Sequence, residues 1–154
     1  IDQNFVEYSW LNRGSDERQY CAPGIDLPIA SILRTKYGAY PEYHTSLDNL
    51  ENVVTSKGLE GGYWAIRKAI EAIERNKNYK TTVLCEPQMG KRGLYPTLSI
   101  RNENKKVIQM MNFISFCDGK SSLLEIADKL NMPIWDLYGL ADELYSHNLI
   151  QTDE

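Results

Sequence analysis

Residues 40–50, Tyr-Pro-Glu-Tyr-His-Thr-Ser-Leu-Asp-Asn-Leu, carry His44, one of two histidines in a chain of 154 residues. Pro41 leads a tight loop that presents the imidazole just ahead of a predicted helix. A neutral imidazole on such a loop is a common metal ligand. A single histidine in an arbitrary domain is more often structural or solvated, so the residue type alone decides nothing. Zinc takes three or four protein ligands, and most of such a set is not found here.

Two other loops carry charge. Arg13 to Gly24 packs Asp16, Glu17, Arg18 and Gln19 together ahead of Tyr20. Gly14, Ser15, Pro23 and Gly24 are turn formers, but a turn does not account for the dense charged run between them. Asp16, Arg18, Gln19 and Tyr20 are therefore singled out with Glu17, and the run alone assigns none of them a role. Cys85 to Pro96 is a Gly/Pro loop with two adjacent cations, Lys91 and Arg92. Such cations can hold a carboxylate or phosphate, which makes Arg92 a candidate for a substrate carboxylate. A solvated loop, or a contact with the acids at 16–17, explains the same residues.

The elements that must position these loops read as α/β. Asn4 to Tyr8 is a candidate strand. Leu27 to Leu33 is a continuous apolar run of the kind found in a sheet covered on both faces. Leu47 to Ser56 reads as a helix, capped by Thr45 or Ser46 with Asp48 near its positive end. Tyr63, Ile66, Ile70 and Ile73 recur at helical spacing and predict an amphipathic helix over 62–76, behind a break at Gly61-Gly62. Thr81 to Leu84 and Leu94 to Ile100 are short extended candidates. Arg101 to Lys106 is polar and aperiodic, as a linker should be. It sets an expected division into residues 1–104 and 105–154.

From Val107 on, three apolar faces follow one another. Val107, Met110, Met111, Ile114 and Phe116 form the first, ended by Asp118-Gly119. Ser121 or Ser122 caps the second, and Glu125 completes a capping box if Ser122 is the cap. Pro133 opens the third, over Trp135, Leu137, Leu140, Leu144 and Tyr145, and Leu149-Ile150 begins a strand. Helix, short helix, turn, helix, strand is the order of a winged-helix module. Trp135, Tyr138 and Tyr145 are expected in its core.

The composition is that of a soluble globular protein, with 42% hydrophobic and 25% charged residues and a net charge of −4. No apolar run approaches the roughly 20 residues that a membrane span needs. The three cysteines, Cys21, Cys85 and Cys117, are widely spaced and form no CxxC pair. They read as small buried hydrophobes in a reducing cytoplasm. From residue 105 there are four lysines against eight acids, and the third helix carries Asp136, Asp142 and Glu143 with no cation. Phosphate contacts need cations, so this module reads as a packing or protein-contact unit and not as a DNA reader.

Tyr43-His44-Thr45-Ser46, with Asp48 and Leu50, resembles the "YHTSxDxL" signature that carries the last zinc ligand of zinc exopeptidases. Many members of that superfamily have an "SDHxxF"-like stretch a short distance upstream, and Glu17 stands here where they have His. The longer strings "GSDERQYCAPG", "LPIASILRTKYGAYPEYHTSLDNL" and "CEPQMGKRGLYP" resemble a narrower group. It is the aminopeptidase-like family of domain of unknown function 4910, labelled as polysaccharide-biosynthesis proteins with an aminopeptidase-like domain. The resemblance runs over nearly the whole chain, including the winged helix. It implies a zinc-exopeptidase-like three-layer α/β/α sandwich with a mixed sheet. It also implies zinc held in part by His44, Asp16 in a catalytic, site-lining role, Arg18, Gln19 and Tyr20 beside it as candidates for substrate binding, and the remaining ligands and general-base glutamate upstream of Ile1.

The expectation is therefore a C-terminal piece of a zinc-dependent aminopeptidase or metallohydrolase, inactive alone, acting on a peptide or aminoacyl substrate in the intact enzyme. Zinc is expected to be weakly held or absent in this piece. Its expected partners are the missing N-terminal part or a second copy, and no membrane. The competing reading is a non-enzymatic regulatory or protein-binding module built on the winged helix. A degenerate peptidase fold that binds sugars or cell-envelope precursors is a third.

Overall fold

The computed structural model describes residues 5–12, 14–94 and 101–152, the side chains of 101–104 excepted. It divides into two compact units, residues 1–69 and 70–154. The regular elements are helices α1 (Glu17–Tyr20), α2 (Ser56–Arg75), α3 (Arg101–Ser115), α4 (Leu123–Leu130) and α5 (Ile134–Ser146), and strands β1 (Asn78–Thr81), β2 (Asp118–Ser122) and β3 (Ile150–Thr152).

All the buried apolar side chains among the described residues lie in the second unit. Met110 and Phe113 of α3, Leu123 and Ile126 of α4, Leu137 and Leu144 of α5, and Leu149 and Ile150 are fully enclosed. Their spacing is the helical period expected from the sequence. The three strands form one antiparallel sheet in the order β2-β1-β3, so the strand first in sequence is central. Tyr79 pairs with Thr152, and Thr81 with Ile150. Tyr79 also meets Phe113 edge to face, with ring centroids 6.0 Å apart. Ser122 caps α4 as expected: its hydroxyl accepts from the Glu125 amide at 3.3 Å, and its own amide donates to Glu125 Oε2 at 2.7 Å. This amide contact holds the Glu125 carboxyl below its usual range. Arg75, at the end of α2, donates to both oxygens of Asp142 on α5 at 2.6 and 2.7 Å, and its guanidinium lies over the Tyr138 ring.

The expected seam falls inside this unit. β1 is the central strand of the sheet shared with β2 and β3, so residues 78–81 belong with the winged helix. Residues 101–106, read as a linker, form the start of α3. From residue 105 on, the first buried side chain of this helix is Met110. Trp135 and Tyr138 pack in or against the core as expected, whereas Tyr145 is 55% exposed. Cys117 is buried, and burial pushes its thiol up to about 12. Cys85 is exposed and Cys21 half-buried, against the expectation of burial for all three.

The first unit departs further from expectation. Its described part contains no strand. Residues 5–8 adopt no regular structure, and residues 27–33 run without strand pairing. Leu27, Ile29, Ile32 and Leu33 are exposed, so the apolar run has the composition of a covered strand but no cover among the described residues. Residues 47–54 form turns instead of a helix. The Asn49 side chain accepts from the amides of Glu51 and Asn52, both at 3.0 Å, and so competes with helical bonding. The helix begins at Ser56, where Thr55 Oγ1 accepts from Gly58 N at 3.0 Å. Gly61-Gly62 lies within α2 and does not precede it. Gly61 serves close approach, since a Cβ there would sit 3.0 Å from Arg34 Nη1. Tyr63, Ile66, Ile70 and Ile73 share one side of α2 as predicted, and all are exposed. Of the extended candidate at 94–100, all but Leu94 lies outside the described residues.

In chemical denaturation followed through the second unit, Phe113→Ala should cost about 3–5 kcal/mol and Ser122→Ala about 1 kcal/mol. Tyr145→Ala should stay within about 0.5 kcal/mol. Equal losses at all three positions would contradict this core.

Candidate functional site

Thr45 Oγ1 donates to Glu42 O at 2.6 Å and accepts from Leu47 N at 3.2 Å, closing the loop around His44. His44 itself sits in the left-handed region at φ 59°. That conformation is uncommon for a side-chain-bearing residue, although histidine enters it more readily than most. Its exposed imidazole stacks on the Tyr43 ring, with centroids 4.0 Å apart and planes 17° from parallel. Tyr43 meets Tyr40 edge to face at 5.8 Å, and Tyr40 donates its hydroxyl to Asp48 Oδ2 at 2.9 Å. The Asp48 contact raises the Tyr40 phenol above its ordinary value.

The second expected group lies on α1. Asp16 occupies the N-cap position, where its carbonyl accepts from Gln19 N and Tyr20 N at 3.0 Å while its carboxylate makes no cap bond. Asp16, Arg18, Gln19 and Tyr20 are all exposed. Between them Glu17 turns inward, the only buried side chain among the described residues of the first unit. Its Oε1 accepts from the amides of Gly14 at 3.1 Å and Ser15 at 3.3 Å and from the Tyr37 hydroxyl at 3.3 Å. Its Oε2 accepts from the Ser31 hydroxyl at 3.1 Å. The Gly14 amide leads in lowering this carboxyl to about 2. Tyr37 completes the set, its ring 6.3 Å from that of Tyr43 and beneath the Lys36 ammonium.

Glu17, Tyr37 and Tyr43 thus link the two motifs that the sequence singled out separately. Their signals were Glu17 in place of a histidine and tyrosines at 37, 40 and 43, three apart around Pro41. A cavity of about 470 Å³ beside the His44 loop is lined by Arg34, Tyr40, Glu42, Asp48 and Thr55, among others, so it offers one cation and two carboxylates. None of the expected substrate-binding residues lines it. Arg92 belongs to the second unit, in a 3-10 turn (Met89–Arg92), with Nη1 3.5 Å from Gln88 O. An open cavity of about 860 Å³ there is lined by Glu86, Lys91, Ile108 and Met111, among others, but not by Arg92.

Among the described residues, no three His, Cys, Asp or Glu side chains come close enough together to hold a metal ion. His44 supplies one candidate ligand, and a zinc centre needs more. The described residues alone do not fit a zinc site.

The depressed Glu17 carboxyl has a stability consequence. Its folded value of about 2 lies below the 4.5 of a free glutamate. The stabilisation it supplies is therefore complete above about 4.5 and is lost as pH falls through about 2. An acid titration of near-ultraviolet circular dichroism should show the first unit loosening in that window, and Glu17→Gln should remove the step. A wild-type profile identical to that of Glu17→Gln would contradict the assignment.

Comparisons with known proteins agree with this layout. Residues 77–152 match a winged helix-turn-helix family, and residues 1–76 match a family described as a domain of unknown function (DUF4910). A Clostridium acetobutylicum protein named "Putative polysaccharide biosynthesis protein with aminopeptidase-like domain" is 39% identical over 140 residues, 90% of this chain and 32% of that protein. A crystal structure of a "putative peptidase" from Clostridium acetobutylicum matches with a TM-score of 0.78 at 37% identity, covering 92% of this chain and 30% of that one. The chain spans about a third of the length of these relatives. The two family matches abut, so the part similar to DUF4910 leads directly into the part similar to a winged helix-turn-helix.

Proposed function

We propose that this chain is part of an aminopeptidase-like metallohydrolase, to which it contributes His44 as a zinc ligand and the loops around the site. The observation that carries the reading is the state of His44: exposed, stacked on Tyr43 and held at a positive φ by a loop braced on both sides. Backbone conformations that disfavour side chains persist where the surroundings enforce them, often at functional sites. The relatives' names, "aminopeptidase-like domain" and "putative peptidase", support the same class. The other ligands and the general base are proposed to come from residues outside those described, as is the rest of a three-layer sandwich. The exposed apolar run at 27–33 fits a strand of that sandwich. Asp16, Arg18, Gln19 and Tyr20, exposed on one short helix, are proposed to line the site and meet a peptide or aminoacyl substrate. Arg92 is proposed to hold a substrate carboxylate.

For the winged helix we propose protein contact and not DNA. Asp142 and Glu143 of α5 are engaged by Arg75 and by Lys106, the latter at 2.7 Å, so two cations near that helix are already neutralised. Among the described residues no helix is long and apolar enough to cross a membrane. Three free cysteines fit a reducing cytoplasm.

His44→Gly separates the ligand role from the loop role. In the longest polypeptide of this gene that carries residues 1–154, elemental analysis should find zinc in the wild type and lose it in the variant. In the 154-residue chain the same change should stabilise the first unit by about 1 kcal/mol, because glycine tolerates the left-handed conformation. Zinc retained by the variant, or absent from the wild-type long polypeptide, would refute the ligand role.

A further inference from the structure

Arg34 follows directly on the apolar run at 27–33, and its guanidinium makes no hydrogen bond or ion pair with any described residue. Its side chain lies along the start of α2, over two glycines one helical turn apart. A Cβ at Gly58 would stand 3.5 Å from Arg34 Cδ and Nε, and one at Gly61 would stand 3.0 Å from Nη1. Glycine inside a helix is destabilising relative to alanine. Here the pair leaves room for the arginine against the helix. The cavity of about 470 Å³ beside the histidine loop is lined by Arg34 and also by Glu42 and Asp48. Asp48 is held by the Tyr40 hydroxyl at 2.9 Å, and the Glu42 carboxylate has no partner among the described residues. Neither acid pairs with Arg34, although all three line one cavity. Half-buried Val53 and Val54, with Leu59, add apolar surface to the same wall. Opposite charges that share a cavity without meeting leave the space between them to a ligand that carries both. The volume falls within the roughly 300–1,000 Å³ of small-molecule sites.

We propose that this cavity binds a small zwitterion of the α-amino acid class, its carboxylate on Arg34 and its ammonium on Glu42 and Asp48, with an aliphatic side chain against Val53, Val54 and Leu59. A guanidinium takes a carboxylate through two parallel N–H···O bonds, a geometry that lysine does not reproduce. An ammonium offers three donors, enough for both acids. The lining runs from Arg34 to Leu59, so the site is assembled within the first unit. Its binding step calls on no metal, and it stands or falls apart from the ligand role of His44. The sequence did not single out Arg34, because Gly58, Gly61 and the two acids are brought to it only by folding.

Three probes separate such a site from a general effect on the first unit. L-leucine carries both charges, L-leucinamide only the ammonium, and 4-methylpentanoate only the carboxylate. Calorimetric titration of the longest polypeptide of this gene that carries residues 1–154, without added metal, should show saturable binding of L-leucine and weaker binding of the other two. Arg34→Gln should weaken L-leucine at least about tenfold and should not weaken L-leucinamide. Glu42→Gln should weaken L-leucine and L-leucinamide but not 4-methylpentanoate. Arg34→Lys should recover part of the loss, keeping the charge without the fork. Gly61→Ala raises helix propensity while its methyl group meets Arg34 Nη1. It should therefore weaken L-leucine without lowering the unfolding midpoint. Loosening of the first unit would instead weaken all three probes alike. Equal losses for the three probes in Arg34→Gln would overturn the proposal. So would wild-type protein that shows no saturable L-leucine binding, or an L-leucine affinity unchanged in both Arg34→Gln and Glu42→Gln.

Discussion

The shape of the first unit depends on a single buried carboxylate. No apolar side chain among its described residues is buried, so the term that dominates the stability of most domains is missing there. What remains is polar. Glu17 ties the turn at Gly14-Ser15 to Ser31 on the apolar run and to Tyr37 ahead of the histidine loop. Three segments distant in sequence meet at one group. Hydrogen bonds to a charged acceptor are stronger than neutral ones, and a fully occupied carboxylate is costly to rearrange.

The second unit rests on the opposite principle. Its helices and sheet enclose a continuous apolar core, with one capping box and one bidentate ion pair at the edges. The two units also bear differently on function. The winged helix presents an acidic face on α5 and keeps nearby cations engaged. The first unit exposes the groups that could do chemistry, together with apolar side chains that a finished domain would cover. That surplus fits a chain spanning about a third of its aminopeptidase-like relatives.

Much of the second unit was legible in the sequence because helical period, a Ser-x-x-Glu cap and Pro133 all act locally. The helix α2 was legible for the same reason, although its start was misplaced by reading Gly61-Gly62 as a break when it accommodates Arg34. The role of β1 was not legible: a four-residue strand gains its place from partners 40 and 70 residues away, and nothing local marks it as central. The run at 27–33 was read as a covered strand from composition, and composition cannot say whether the cover is in the same piece of chain. His44 stood out by type and by its neighbours. Glu17 did not, because its partners Ser31 and Tyr37 are joined to it only by folding.

The most direct test of this account is amide hydrogen exchange on the 154-residue chain. If polar anchoring alone shapes the first unit, the amides of α4 and α5 should be protected on the order of a thousandfold more than those of residues 27–33 and 47–54. Within the first unit, Gly14 and Ser15, bonded to Glu17, should exchange more slowly than their loop neighbours and lose that advantage in Glu17→Ala. Protection of residues 27–33 equal to that of α5 would contradict the account, since it would require a core that the described residues of the first unit do not form.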